Sequence, residues 1–199
     1  MVEPTLYEGG SPEAGRRSRT SHQAILRAAA EVVGERGYFG ASIEEIAARA
    51  GTGKQTIYRW WRAKPYLCLE LYGLLVPAES LAVDSGSLRG DFEALLRRLL
   101  KFYRTTPAAA LLAGLIAESQ SDPAVAEAFQ RQIVDERRHL LTGPLERARE
   151  RGEIGADFDM AFAADLFTAA VWHRLLLGGK RPEKRFVAGL LDSLLGDGR

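Results

Sequence analysis

The stretch from Ser42 to Lys64, SIEEIAARAGTGKQTIYRWWRAK, leaves a chain like this few ways to fold. Ile43, Ile46, Ala47 and Ala50 recur at i, i+3, i+4 and i+7, one apolar stripe of a helix. Ser42 stands just before the stripe and Glu45 three residues on, the pairing of a capping box. Gly51 ends that helix where a left-handed residue costs least. A second short helix follows over Lys54 to Trp61. Ile57 and Trp61, four apart, point inward. Lys54, Gln55, Tyr58 and Arg59 lie on the other side, with no acid among them. Such a face suits phosphates and base edges. The pattern predicts a helix-turn-helix, with the rest of the chain holding, pairing and controlling it.

Ile46-Ala47, Ala50-Gly51, Lys54, Thr56-Ile57-Tyr58, Trp61 and Lys64 stand in one register. This run resembles the DNA-binding domain of the TetR (tetracycline repressor) family. There are two departures. The family usually has Ser or Thr at the position of Gly53, and Ser or Asn at the position of Ala63. Neither residue here offers a capping side chain, so both helix starts are expected to be looser. The resemblance implies a homodimeric, ligand-responsive regulator that binds a roughly palindromic double-stranded DNA operator, most often a repressor. It places Tyr58 and Lys64 on the DNA backbone. By position and chemistry, Gln55 and Arg59 are the base readers, because Gln pairs with adenine and Arg with guanine. Ser42 is placed to cap its helix and touch a phosphate. Thr56 reaches a thymine methyl or a phosphate, and Trp60 either lies half-buried or flanks the backbone.

Charge supports this placing. The net charge of the 199 residues is only +1, so the whole chain is no basic nucleic-acid binder. From Arg16 to Lys64, however, ten Lys or Arg face four Glu, a local balance of +6, which leaves 1 − 6 = −5 for the remainder. One phosphate-binding domain on an acidic body fits that asymmetry. The single Cys68 allows no intrachain disulfide and sits in an apolar run, as a buried thiol does. No apolar stretch reaches the roughly 18 residues that a membrane span needs, and no signal peptide is seen. A cytoplasmic protein, without a membrane partner, is expected.

In chain order, Met1 to Gly15 has the composition of disorder, and the tail is expected to run to residue 18. Arg16, Arg17 and Arg19 suit either a solvated tail or an arm on the DNA backbone or minor groove. Thr20 with Gln23 reads as a second capping box, opening a DNA-binding domain over residues 19–64. Ile25, Ala28, Ala29, Val32 and Val33 form its first stripe, Gly37 stops it, and Tyr38 and Phe39 tuck beneath. Residues 65–199 read as a second domain. Its first helix, from Pro65, is apolar almost all round and ends by Pro77. Helices follow over Ser87 to Arg104, Pro107 to Glu118, Pro123 to about Arg151 with a kink at Gly143-Pro144, Asp159 to Leu177, and Pro182 to Leu195. Gly178-Gly179 separates the last two. Nothing alternates with period two. The fold class is all-α, with about nine helices.

No chemistry of catalysis is visible. Gly51-Thr52-Gly53-Lys54 lacks the glycine and the Ser or Thr of a phosphate loop. No nucleophile elbow exists, and His22, His139 and His173 are scattered without ligand spacing. No enzyme activity, cofactor or metal is expected. The family resemblance implies that the last two helices pair with their copies, placing Leu166, Ala170, Phe186, Leu190 and Leu194 at the interface. It also implies an effector pocket among the middle helices, with Phe102, Tyr103, Phe129, Arg137, Trp172 and His173 as candidates. The rival reading is a helical small-molecule-binding or interaction protein without sequence-specific DNA binding. Lys54, Arg59 and Lys64 argue against it.

Overall fold

The computed structural model describes residues 12–177 and 184–195, with side chains at 19–177, 185, 186 and 188–193. All the regular structure among them is helical. The first helix, α1 (Pro12–Gly40), starts inside the stretch expected to be disordered. Proline at a first turn and the Glu13-Ala14 pair after it explain the start. Thr20 therefore lies within α1 and is no N-cap. Arg16 and Arg17 have helical backbone, their side chains lying outside the described residues, and Arg19 is exposed.

Gly37 breaks α1, at φ 71° and ψ 174°, a conformation for which a residue without Cβ is the natural choice. The break turns Tyr38 into the core. It sends Phe39 the other way, to 71% exposure, so only one of the two expected rings is tucked under. α2 (Ile43–Arg49) and α3 (Lys54–Trp60) follow, and α4 (Lys64–Leu75) closes the N-terminal unit by packing on α1. Ile25, Ala29, Val32, Ile46, Ala47 and Ile57 are its buried centre.

The second unit begins where α4 turns its other sides to α6 (Ala108–Ser119) and α7 (Pro123–Phe129). Cys68 is buried there, and burial pushes its thiol up to about 12, so it stays protonated. α6 also packs on α1. Tyr38 supplies the contact: a Cβ at Gly114 would sit 2.0 Å from Tyr38 Cγ. Its hydroxyl donates to Glu118 Oε2 at 2.7 Å.

α5 (Leu88–Thr105) starts at Ser87, whose Oγ accepts from Gly90 N at 3.2 Å. It buries Leu88, Phe92, Leu95, Leu96 and Tyr103. Asp91 is the one fully buried charged residue among those described. Asp91 Oδ1 accepts from Ser85 N at 2.5 Å and Ser85 Oγ at 2.7 Å, and its Oδ2 accepts from Arg147 Nη2 at 3.0 Å. Burial alone would raise its pKa, but the Ser85 bonds and the Arg147 guanidinium outweigh it and hold the carboxyl below the usual range.

Asp122 caps α7 through Ala124 N and Val125 N, and Pro123 takes the first position, as the sequence predicts. The helix after it is interrupted earlier than expected. A π-helical turn at Gln130–Asp135 breaks it ahead of α8 (His139–Glu150), inside which the buried Pro144 lies. With the irregular turn upstream, α8 begins afresh and Pro144 falls in its second turn, where little of the backbone ladder has yet been built. Taking α7 and α8 as one interrupted helix gives the expected nine among the described residues. α9 (Met160–Leu176) and α10 (Lys184–Leu195) finish the chain. Gly178, Gly179 and Pro182 lie outside the described residues. No helix among the described residues is long and apolar enough to cross a membrane.

Candidate nucleic-acid interface

The helix-turn-helix is built by local chemistry. Ser42 is the N-cap of α2, its Oγ accepting from Glu45 N at 3.1 Å. Glu44 and Glu45 in the first turn favour the positive end of the helix dipole. Gly51 takes φ 66°, and the turn closes with Thr52 N donating to Ala47 O at 3.0 Å. α3 opens on Gly53 without a side-chain cap, and α4 on Ala63 likewise. Ile57 anchors α3 in the core. Trp61 is buried as expected, but it has already left the helix. Its Nε1 donates to Glu70 Oε2 at 2.8 Å, and the His22 ring stacks on it at 4.8 Å.

Ion pairs behind the recognition face hold α2 in place. Arg49 grips Glu35 with two bonds of 2.6 and 2.8 Å, joining α2 to α1. Glu35 is lowered by its hydrogen bond from Arg49, as befits a paired carboxylate.

The predicted contact residues divide into two sets. Ser42, Gln55, Tyr58 and Arg59 are exposed, Thr56 is half-buried, and Trp60 is 40% exposed against the His22 ring. Arg59 makes no ion pair among the described residues. Lys54 and Lys64 are engaged. Lys54 Nζ donates to Glu44 Oε1 at 2.8 Å, so an acid of α2 reaches a face that α3 alone leaves free of acids. That bond lowers Glu44 and raises Lys54. Lys64 Nζ donates to the Tyr38 and Ala41 carbonyls, at 3.1 and 3.4 Å, and lies 4.3 Å from the Tyr38 ring centroid. Its ammonium is turned onto the protein, bracing the end of α1 against α4.

The arrangement is one exposed helix face, carrying amide, phenol and guanidinium groups, on a rigid three-helix base. Residues 25–71 match the family model for bacterial regulatory proteins of the tetR family, and residues 82–194 the tetracyclin repressor-like C-terminal domain. The chain belongs to the TetR family. Among its curated TetR-type relatives is the DNA-binding transcriptional repressor TetR of Mycobacteroides abscessus, 32% identical over 90% of this chain and 94% of that one. An uncharacterised helix-turn-helix regulator of Bacillus subtilis, YdeS, is 30% identical over 88% of each. The solved structure of the TetR family transcription regulator SCO0332 superposes with a TM-score of 0.72 at 32% identity, over 88% of this chain and 96% of that one. The protein is thus a TetR-family helix-turn-helix transcriptional regulator, of a regulatory rather than a catalytic family.

Within the TetR-type C-terminal domain the candidate pocket residues do not all meet. Tyr103 is buried, and its hydroxyl meets that of Tyr72 at 2.8 Å. Arg137 lies over the Tyr72 ring, 5.3 Å from its centroid. Phe129 packs edge-on against Trp172 at 6.0 Å. Phe102 is half-buried on α5, packed against the core. His173 is exposed on α9. Trp172, next to it in the chain, packs against the core. Tyr72 joins this cluster, and the sequence does not single it out because α4 is apolar all round.

The residues expected at a pairing surface are likewise divided. Leu166 is 38% exposed, and Ala170 is half-buried. Phe186 lies under the Arg174 guanidinium at 4.8 Å, and Leu190 packs against the core. The Leu194 side chain lies outside the described residues. Phe162, 64% exposed and one turn before Leu166, extends the same exposed apolar strip and is not among the residues expected from the sequence. Its i, i+4 spacing from Leu166 was the available signal.

Proposed function

We propose that this TetR-family regulator is a homodimeric repressor of the cytoplasm. It holds a two-fold symmetric DNA operator through α3 and releases it when a small molecule enters the C-terminal domain. The outward face of α3 carries the reading: Gln55, Tyr58 and Arg59 stand exposed side by side, and Arg59 makes no ion pair among the described residues. Gln55 and Arg59 have the donors and acceptors for adenine and guanine in the major groove, and Ser42, Thr56 and Tyr58 suit phosphate oxygens. Lys54 reaches a phosphate by exchanging Glu44 for it, an exposed pair of little intrinsic strength. Lys64 acts as a brace, from behind. The repressor name of the Mycobacteroides abscessus relative favours repression over activation.

The two lysine and arginine roles separate in one binding assay. Against a site selected from a random DNA pool, Arg59→Ala is expected to cost about 1–3 kcal/mol and to relax preference at one base pair. Lys64→Ala is expected to weaken all sequences alike, with the salt slope unchanged, because it loosens the brace between α1 and α4 without removing a phosphate contact. A salt slope flatter by about one unit would return Lys64 to the DNA backbone. Sequence-blind loss for Arg59→Ala would remove it from the base readers.

Two recognition helices fit half-sites about one DNA turn apart only if the subunits are paired. Phe162 and Leu166 leave an apolar strip on α9 that a second copy would cover. Phe162→Glu with Leu166→Glu is expected to give a monomer in sedimentation that retains only weak, non-specific DNA binding. A variant that still sediments as a dimer would move the interface elsewhere.

A further inference from the structure

Both ends of α4 are held by a cation on backbone carbonyls. At its start Lys64 reaches Tyr38 O and Ala41 O. At its end Arg137 Nη1 donates to the carbonyl of Val76, the C-cap residue, at 2.6 Å. The second contact differs from the first in what it leaves unmet. Arg137 Nε is buried and has no hydrogen-bond partner. No carboxylate among the described residues comes within ion-pair distance of the guanidinium. Beside it stand the Tyr72 and Tyr103 hydroxyls, 2.8 Å apart. One of them donates to the other, so one phenolic proton remains to be given outward. Burial raises both phenols, which keeps them as neutral donors.

Arg137 is half-buried, but its Nε is a buried donor without a partner, and such a donor beside an unanswered charge is costly unless something meets it. The missing group must accept several hydrogen bonds and carry one negative charge. A carboxylate does both, and its two oxygens match the guanidinium fork. Arg137 is the cation that acts on both phenols among the described residues, and a phosphate dianion would bring a second charge. Ile133, four residues before Arg137, is buried, and so are the rings of Tyr72 and Tyr103, so a molecule held there by its charged end would meet apolar surface with the rest.

We propose that Arg137 is the charge-recognising group of the effector site, and that the effector is an organic monocarboxylate with an apolar body, recognised jointly with Tyr72 and Tyr103. The proposal rests on the reading of the C-terminal domain as the sensor. It also gives that sensor a route to the DNA. A carboxylate on Arg137 competes with the Val76 carbonyl for the guanidinium and loosens the far end of α4, whose near end braces the recognition unit through Lys64.

The test is calorimetry on the full-length protein with decanoate against decanol, and 4-phenylbutyrate against 4-phenylbutanol. The two pairs separate an aliphatic from an aromatic body. At least one acid is expected to bind about tenfold or more tighter than its alcohol, the order of a hydrogen bond to a charged group. Arg137→Gln is expected to abolish that preference, the acid losing at least about tenfold relative to its own alcohol. If Arg137→Gln does not fold, Arg137→Lys decides, since it keeps the charge and a donor for Val76 but loses the fork. Its preference for the acid should fall at least about threefold with the circular dichroism spectrum unchanged. Equal binding of acid and alcohol, no binding of either acid, or a preference that survives the substitution overturns the proposal. Failure of the wider reading looks different: an acid that binds through Arg137 but leaves affinity for the selected DNA site unchanged would keep the carboxylate site and remove its role as sensor.

Discussion

Asp91→Ala is expected to cost about 3 kcal/mol in denaturant unfolding at neutral pH. The substitution leaves the Ser85 N–H and Oγ without their acceptor and takes the carboxylate from Arg147. Removing one partner of a buried pair costs about 3–5 kcal/mol, and the lower end applies because the Arg147 side chain, at 32% exposure, regains some water. The same residue predicts a pH dependence. Its folded carboxyl lies below the ordinary value of 3.8. Above that value both folded and unfolded chains are ionised, and the contribution is complete. As pH falls below it, the unfolded chain takes up the proton first and the contribution is lost toward the folded value. The gap between wild type and Asp91→Ala should therefore be constant from about pH 5 to 8 and shrink only in acid. A gap that closes near neutrality would place the stabilisation in another group.

Gly114→Ala is expected to be nearly as damaging, for the opposite reason. The added Cβ would lie 2.0 Å from Cγ and 2.2 Å from Cδ1 of Tyr38, on a ring held between α1 and α6. Overpacking of this kind costs about 1–3 kcal/mol, and displacing the ring also breaks its hydroxyl's bond to Glu118. Tyr38→Ala alone should cost about 3–5 kcal/mol as a buried aromatic truncation. Because it empties the space the methyl would enter, the double variant should be no less stable than Tyr38→Ala. That strong non-additivity is measurable by chemical denaturation of the four proteins of the cycle. Simple addition of the two costs would mean that Tyr38 and Gly114 do not share the contact.

Most of the helices were legible in the sequence because their signals are local. The Ser42 cap, the Gly51 turn, the Asp122-Pro123 start and the stripe from Ile25 to Val33 each depend on residues within about two turns of one another. The inward anchors Ile57 and Trp61 and the exposed set Gln55, Tyr58 and Arg59 follow from the same period. Capping and periodicity thus determined where the chain is helical and which face of α3 it shows.

What the chain's charged groups do was decided only by the fold. Lys54 and Lys64 looked alike as cations beside DNA, yet one is paired with Glu44 and the other is folded back onto the Tyr38 and Ala41 carbonyls. Phe39 and Tyr38 are adjacent, and the turn at Gly37 sends them to opposite sides. Arg147 finds Asp91 across 56 residues, and Tyr38 finds Glu118 across 80. No periodicity carries such pairings, because they are set by the distance between helices that come together only after each has formed. A cation's free energy depends on what lies within a few ångströms of it, and that is a property of packing.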